Sequence, residues 1–189
     1  MDSKKSEKYK GKKPDLVTNL KEGNISLILD SYDDIFSDFD PRDYSERSLS
    51  DDFLIECKKA AIDKNHKLEL RFLVPKSKRN MIEEVLIKKR LKEHFSKHFE
   101  DKRRELSKIR FSGFMWFVLG SIIMILSTLI FPHIEEGFLF RLLFIISEPA
   151  SWFFFWEGLE KVFITSKKTK PHYNFYKKMS KAEIHFIDY

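Results

Sequence analysis

The stretch that decides the fold is Phe111–Phe131, FSGFMWFVLGSIIMILSTLIF, which is 21 residues long and carries no charged side chain. A helix rises about 1.5 Å per residue, so this run matches the roughly 30 Å hydrocarbon core of a bilayer. The alternative is a buried helix of a soluble protein, but an unbroken apolar run in such helices rarely exceeds about 14 residues. Because the run lies past the middle of the chain, it is not a secretory signal. It predicts a first transmembrane helix.

A second apolar stretch follows the short segment Pro132–Gly137. This stretch, Phe138–Phe163, reads FLFRLLFIISEPASWFFFWEGLEKVF and is less uniform, with Arg141, Glu148 and Pro149 inside it. A link of about six residues forces two neighbouring helices to run antiparallel. The sequence therefore predicts a helical hairpin of two transmembrane helices.

Basic residues flank the two predicted spans at the ends away from the link. Lys and Arg flanks are retained in the cytoplasm, and the link itself contains Glu135 and Glu136 but neither Lys nor Arg. We therefore expect a multi-pass protein of the cell membrane with both termini in the cytoplasm. The flanking residues are Lys102, Arg103, Arg104, Lys108, Arg110, Lys161, Lys167, Lys168 and Lys170.

The composition narrows the class of protein further. The chain has 189 residues, 42% of them hydrophobic and 34% charged, which excludes a wholly disordered protein. A net charge of +6 would favour nucleic acid as the partner of a soluble protein, but here topology and contacts to anionic lipid explain the basic flanks. We therefore expect membrane lipid and no nucleic acid as a partner. The single cysteine, Cys57, excludes an intrachain disulfide and a Cys-rich zinc site.

Outside the hairpin, the pattern of apolar residues predicts a small α+β domain. Short, partly alternating segments predict strands at 25–29, 67–74 and 182–187, the last returning to the sheet of the first two. Ser50 is a helix-start residue, and the following apolar face includes Cys57. Asn80 opens a helix that is expected to continue into the first span as one rod of about 50 residues.

The predicted organisation has four parts. A disordered, lysine-rich tail at 1–24 precedes a cytoplasmic α+β domain at 25–110, which ends in the long helix. The transmembrane hairpin covers 111–163, and a cytoplasmic tail at 164–189 returns a strand to the α+β domain. Within this tail, Pro171 is expected to break the chain.

Several short motifs occur along the chain in a fixed order. They are Asp40-Pro41-Arg42-Asp43, Val74-Pro75, His94-Phe95, Glu148, Trp152, Trp156 and Glu160. This order resembles a family of uncharacterised prokaryotic membrane proteins with two adjacent transmembrane helices. The resemblance covers residues 25–189 and departs at Glu157-Gly158, where the family pattern has Arg-Pro. It implies the architecture and carries no known activity.

Three residues of the second span are the intramembrane functional candidates. A charge such as Glu148 near the middle of a span costs on the order of 3 kcal/mol on insertion scales, so it usually faces protein or water. It can line an ion or proton route, or fix packing through an interhelical hydrogen bond. Pro149 removes the N–H partner of the Ile145 carbonyl and can kink the helix. Arg141 can meet Glu148 of a neighbouring subunit or snorkel to the headgroups.

Small residues form a stripe on each span. Such stripes let helix backbones approach closely, and two spans offer little else to pack against. We therefore expect a homo-oligomer, with a hairpin packed only on itself as the alternative. The stripe residues are Gly113, Gly120 and Ser127 on the first span and Ser147, Ser151 and Gly158 on the second.

Other polar clusters are weaker candidates. Trp152, Trp156 and Glu160 are assigned to an interfacial belt of aromatic rings and ion pairs. Six aspartates between residues 30 and 43 are able to ligate Ca²⁺ or Mg²⁺, but their spacing fits no EF-hand, which favours a solvated loop facing basic partners. His94 and His98 have a zinc-compatible spacing without an evident third ligand.

No enzyme signature is present in the sequence. It has no P-loop, no Gly-rich dinucleotide turn and no nucleophile elbow, so we predict no catalytic residue, no metal and no cofactor. The leading prediction is a non-enzymatic, oligomeric assembly or scaffold module whose α+β domain gathers a cytosolic protein partner. The alternative is an oligomeric ion channel or membrane-permeabilising pore, with Glu148 and Arg141 lining the route. A cytosolic-domain enzyme would require a metal at the acidic loop.

Overall fold

A computed structural model of the protein describes residues 24–62, 68–130 and 137–189. The predicted basic tail, apart from Asn24, and the link between the spans, apart from Gly137, lie outside the described residues. The chain divides into two compact units. Of the described residues, those up to 93 and 181–189 form the sheet unit, and those between 94 and 180 form the helical unit.

The sheet unit is built on three parallel strands in the order β1-β2-β3. Their bounds are β1 Asn24–Ile28, β2 Glu69–Val74 and β3 Glu183–Asp188. The predicted return of the third strand is present, because Phe72 of β2 pairs in register with Phe186 of β3. These two rings lie 5.2 Å apart, centroid to centroid. The central strand β2 is buried at Leu70 and Phe72 on one side and at Leu73 on the other, as expected for a covered parallel sheet.

In the described part of the segment between the first two strands, a short 3-10 helix (Tyr32–Ile35) is followed by one α-helix. α1 (Asp51–Ala61) begins after Ser50, whose backbone is extended as at a helix N-cap. Phe53, Cys57 and Ala61 recur every four residues and are buried, and the Phe53 ring lies 5.9 Å from that of Phe72. α1 therefore covers the sheet through the apolar face that the sequence predicts.

The long helix predicted from Asn80 is present without interruption. α2 spans Met81–Ile130, 50 residues, and belongs to both units. It begins where Asn80 Oδ1 accepts a hydrogen bond of 3.0 Å from the Ile82 backbone N–H, because the first turn of a helix lacks internal acceptors.

The second apolar stretch is also helical and extends further than predicted. α3 (Phe138–Leu159) continues through a π-helical segment (Glu160–Thr165) into α4 (Ser166–Ser180). The prediction that Pro171 breaks the chain is wrong, because Pro171 lies inside α4. The proline removes only the N–H partner of the Lys167 carbonyl, and both residues are exposed, so water is able to replace that bond.

By length and composition, two helices are able to cross a membrane: α2 and the continuous helix Phe138–Ser180. Only 11% and 6% of their most apolar windows are buried within the chain. The apolar side chains of these two windows therefore point mostly outward, whereas Ile87 and Leu91 near the start of α2 are buried in the core.

Candidate functional site

The predicted small residues of the two spans meet along one seam between α2 and α3. A Cβ atom added to Gly113 would touch Gly158, and one added to Gly120 would touch Ser151. Further along, the hydroxyl oxygens of Ser127 and Ser147 lie 2.9 Å apart and share a hydrogen bond. The spacings, seven residues on α2 and four and seven on α3, keep facing positions in contact along an antiparallel pair of helices. All six predicted residues therefore lie at the hairpin's own interface.

The seam brings the two backbones closer than a side chain allows. A Cβ atom at Gly120 would lie 2.5 Å from the Phe155 nitrogen and 2.8 Å from the Ser151 carbonyl oxygen. A Cβ atom at Gly158 would overlap the Phe117 nitrogen and lie 2.7 Å from the Gly113 carbonyl oxygen. Glycine is needed here for its size and not for a special backbone angle. These residues serve packing within one chain, so the homo-oligomer prediction needs support from other residues.

Two pairs of aromatic rings join α2 to α3 beside this seam. Trp116 and Phe154 lie 5.0 Å apart, and Phe117 and Phe155 lie 4.8 Å apart, both in tilted arrangements that aromatic pairs favour. The pairs hold α2 against α3 at the level where Ser151 is buried.

The intramembrane candidates lie outside the seam. Glu148 is exposed, and in the described part of the chain its carboxylate has no hydrogen bond or ion pair. Pro149 and Arg141 are exposed as well. Glu148 contributes to the hairpin only through its backbone carbonyl, which accepts a 2.7 Å hydrogen bond from Ser151 Oγ. The structure therefore does not bring Glu148 into an interhelical hydrogen bond within one chain.

The predicted interfacial belt at the end of α3 is an ordered cluster. Trp152 and Trp156 stack with their centroids 6.3 Å apart. Glu157 forms an ion pair of 2.8 Å with Lys161, whose ammonium lies 5.1 Å from the centroid of the Trp116 ring. Glu160, in contrast, accepts a 3.2 Å hydrogen bond from the Thr165 hydroxyl. Glu157 therefore forms the ion pair with Lys161.

An open groove lies beside this cluster at the start of the π-helical segment. Its volume is about 550 Å³, and its walls are aromatic and aliphatic apart from two carboxylates. The lining residues are Phe153, Trp156, Glu157, Leu159, Glu160, Phe163 and Ile164. We refer to it below as the α3 groove.

In the sheet unit, the first two turns of α2 expose four apolar side chains to solvent. Their exposed fractions are 80% for Met81, 76% for Ile82, 65% for Val85 and 37% for Leu86. We call these four residues the α2 patch. The residues that α2 buries at the same level are Glu84, Ile87 and Leu91.

A buried hydrogen-bond network explains why a carboxylate faces inward here. Arg79 donates two hydrogen bonds to the Glu84 carboxylate, at 2.8 and 3.0 Å, and the Tyr32 hydroxyl donates a third at 3.0 Å. Tyr32 Oη in turn accepts a 2.9 Å hydrogen bond from the Asn80 N–H. Burial raises the pKa of Glu84, but the bonds from Arg79 and Tyr32 outweigh it, so this pKa lies below its ordinary value.

The network fixes which face of α2 packs on the sheet unit. Because Glu84 is anchored, the residues beside it on the helix, Ile82 and Val85, are turned away from the core. Sequence reasoning missed both the network and the patch. The sequence did contain a signal for the patch, because α2 carries two apolar stripes and one of them also contains Glu84.

A second groove, of about 540 Å³, adjoins the α2 patch at Leu86. It is polar and mixed in charge, and Arg90 on its wall donates a 3.0 Å hydrogen bond to the Arg47 carbonyl. Its remaining lining residues are Arg42, Ser45, Glu46, Lys89 and Glu93.

Three of the six carboxylates of the acidic loop, those of Asp33, Asp34 and Asp40, hold its own conformation. Asp33 pairs with Arg47 at 2.6 Å, and Asp40 accepts hydrogen bonds from Arg42 at 2.9 and 2.7 Å and from the Ser48 N–H at 2.7 Å. The Arg42 guanidinium beside Asp40 holds the pKa of that carboxyl well below its usual range. Within residues 24–62, 68–130 and 137–189, no group of three or more His, Cys, Asp or Glu is arranged to hold a metal ion.

The remaining candidates have packed surroundings. The rings of His94 and His98 lie 4.3 Å apart, and that of His98 stacks on Tyr176 at 5.2 Å. Cys57 is fully buried, and this burial raises the pKa of its thiol to about 12. Cys57 therefore belongs to the core, as predicted.

Comparison of the chain with family models, with curated proteins and with solved structures gives no match. The resemblance to two-span prokaryotic membrane proteins therefore stays a prediction. The pair of long apolar helices is compatible with it.

Proposed function

We propose that the protein is a non-enzymatic integral membrane protein that works as an oligomeric assembly or scaffold module. The hairpin of α2 and α3 anchors it in the membrane, with both termini in the cytoplasm. The sheet unit, presented on the cytoplasmic side, gathers a cytosolic protein partner through the α2 patch.

The observation that carries this proposal is the exposure of the α2 patch. Contiguous apolar side chains on a soluble surface usually mark an interaction site, because water is excluded when a partner covers them. Ile82, Val85 and Leu86 lie within two turns of one helix, a spacing that fills a partner's apolar groove. Since Glu84 beside them is held inward, the patch cannot turn into the core without breaking three hydrogen bonds.

The outward apolar side chains of the helical unit support the anchoring role. The residues that face away from the seam include Leu119, Ile122 and Phe153, all of them exposed within the chain. A bilayer covers such a surface, and the basic residues that flank the spans favour a cytoplasmic location for both ends.

Site-specific photo-crosslinking in membranes tests the partner site. A photoreactive residue in place of Val85 is expected to give crosslinked species, because this side chain is uncovered in one chain. The matched control is Lys92, which is exposed on the same helix two turns further along. Species at multiples of 22.7 kDa indicate assembly with further copies, and other masses indicate a different protein. Equal yields at positions 85 and 92 would contradict the proposal.

The second candidate function is an oligomeric channel, favoured by the position of Glu148. This carboxylate points away from the seam, so in a bilayer it needs water or another chain beside it. Native mass spectrometry of nanodisc-embedded protein decides first. A monomer or dimer supplies at most four spans and removes this candidate, whereas a ring of four or more chains supports it.

In such a ring, Glu148→Gln is expected to change ion flux through vesicles, because it removes the charge that faces the axis together with Arg141. Glu105→Gln, an exposed carboxylate of α2 outside both apolar runs, is the control. Flux that is the same in wild type and Glu148→Gln would contradict the channel.

A further inference from the structure

The α3 groove contains aromatic rings and carboxylates that have no role in the proposed membrane anchoring or in the proposed binding of a protein partner. Three rings, those of Phe153, Trp156 and Phe163, line it together with aliphatic side chains. Two carboxylates, Glu157 and Glu160, complete the wall. A groove of about 550 Å³ with this lining is large enough for a lipid headgroup and the upper part of a chain.

The two carboxylates differ in whether a cation lies beside them. Glu157 is neutralised by Lys161 at 2.8 Å. Glu160 Oε1 accepts only the neutral Thr165 hydroxyl, at 3.2 Å, and among the described residues its Oε2 accepts no hydrogen bond. The groove therefore presents one negative charge without a cation beside aromatic faces. A carboxylate beside apolar rings is stabilised by a cation, and an indole face attracts cations as well.

The π-helical segment orients this carboxylate. Glu160 and Thr165 are its first and last residues, and a spacing of five places them one above the other in a π-helix. The hydroxyl hydrogen bond holds Oε1, so Oε2 is left for a ligand. Thr165 is therefore a positioning residue for Glu160.

We propose that the α3 groove binds a membrane lipid with a primary ammonium headgroup, of the phosphatidylethanolamine class. The ammonium donates a hydrogen bond to Glu160 Oε2 and lies against the Trp156 ring, while apolar chain atoms follow Phe153 and Phe163. A primary ammonium is specified because a quaternary one has no hydrogen to donate to Oε2. The inference rests on the proposed membrane location of the hairpin.

Native mass spectrometry of protein purified from micelles with equal amounts of ethanolamine, choline and glycerol phospholipids tests the site. The ethanolamine lipid is expected to be retained about tenfold over the glycerol lipid, because its contact is a charge-assisted hydrogen bond. Glu160→Gln and Trp156→Leu are expected to remove this preference. Phe140→Leu, near the start of α3 and outside the groove, and Glu105→Gln are expected to keep it. Far-UV circular dichroism verifies that the variants fold.

Flotation with vesicles distinguishes failure of the site from failure of the anchor. Wild-type protein that floats with the vesicles but retains the three lipids equally would overturn the lipid site and leave the anchor. Protein that does not float would overturn both. Retention of choline lipid at the level of ethanolamine lipid would overturn the assignment of a primary ammonium.

Discussion

In both the α2 patch and the hairpin, apolar side chains are exposed while a polar side chain close by is buried. This is the reverse of the usual arrangement. In the patch, Ile82 is exposed while its neighbour Glu84 is only 5% exposed. In the hairpin, Phe153 is 60% exposed while Ser151 is 2% exposed. The causes differ, because Glu84 is buried by its hydrogen-bond partners and Ser151 by the need for a small residue at a close helix contact.

The comparison shows that an exposed apolar side chain has to be interpreted together with the buried polar residue beside it. Small, uncharged residues at the seam leave a mostly apolar exterior, interrupted by Arg141 and Glu148, which matches lipid in the proposed function. An anchored carboxylate in the sheet unit leaves a short apolar patch among lysines and arginines, which matches a protein partner. Four predictions examine this difference, beginning with the largest effect.

Closing the seam with a large side chain is expected to have the greatest effect. Gly120→Leu places atoms where Phe155 and Ser151 backbone atoms already lie, so the helices must separate. We expect the hairpin to lose more than about 3 kcal/mol of stability, measured by titration with SDS and tryptophan fluorescence. Gly137→Ala is the control, since its Cβ meets only the Phe140 ring, at 3.3 Å. Equal midpoints for the two variants would show that the seam is loose.

The two faces of α2 are expected to respond differently to the same truncation. Ile87 is fully buried, so Ile87→Ala removes packed atoms and is expected to cost about 3 kcal/mol of unfolding free energy. Ile82→Ala changes an exposed side chain and is expected to change it by less than about 0.5 kcal/mol. Urea denaturation measures both. Similar losses would mean that both faces of α2 are packed.

The Glu84 network predicts a pH dependence of stability. The pKa of Glu84 is lowered in the folded state, so its contribution is complete above the ordinary value of 4.5 and is lost as the pH falls below it. At neutral pH, Glu84→Gln is expected to cost about 2 kcal/mol, because Arg79 loses its charged partner.

The difference between wild type and Glu84→Gln is therefore expected to shrink between pH 7 and pH 3. Urea denaturation at the two pH values measures it. A difference that is constant over this range would assign the stabilisation to packing alone.

The smallest effect concerns the one cysteine. Because Cys57 is buried and its thiol pKa is raised to about 12, the folded protein is expected to react with thiol reagents about a hundredfold slower than the urea-unfolded protein. Absorbance with a disulfide reagent follows the reaction. Rapid labelling under native conditions would show that α1 opens easily.

The local elements could be predicted from the sequence because their signals are local. Alternation marks the strands, Ser50 and Asn80 mark helix starts, and an uncharged run marks the first span. The spacing of Gly113 and Gly120 also predicted a close helix contact. It did not identify the partner helix, because a neighbouring copy and the same hairpin satisfy the spacing equally.

What could not be predicted depends on residues that are far apart in the sequence. Burial of Glu84 requires Tyr32, which lies 52 positions earlier. Without that contact, the sequence favours the stripe with Ile82 and Val85 as the buried face of α2 as strongly as it favours the stripe that contains Glu84. Helix continuity through Pro171 likewise depends on the exposure of Lys167, which no local propensity reveals.

The parallel pairing of β2 with β3 has a consequence for the order in which the protein is made. More than one hundred residues, including both spans, separate Val74 from Glu183. At about 5 to 20 residues per second, a ribosome needs roughly ten seconds to cover that distance. During this interval one edge of β2 has no neighbouring strand, and edges of this kind invite wrong pairing. With the proposed membrane location, we therefore expect a nascent chain to insert its helices into the bilayer before its sheet closes, and to depend on chaperones in between.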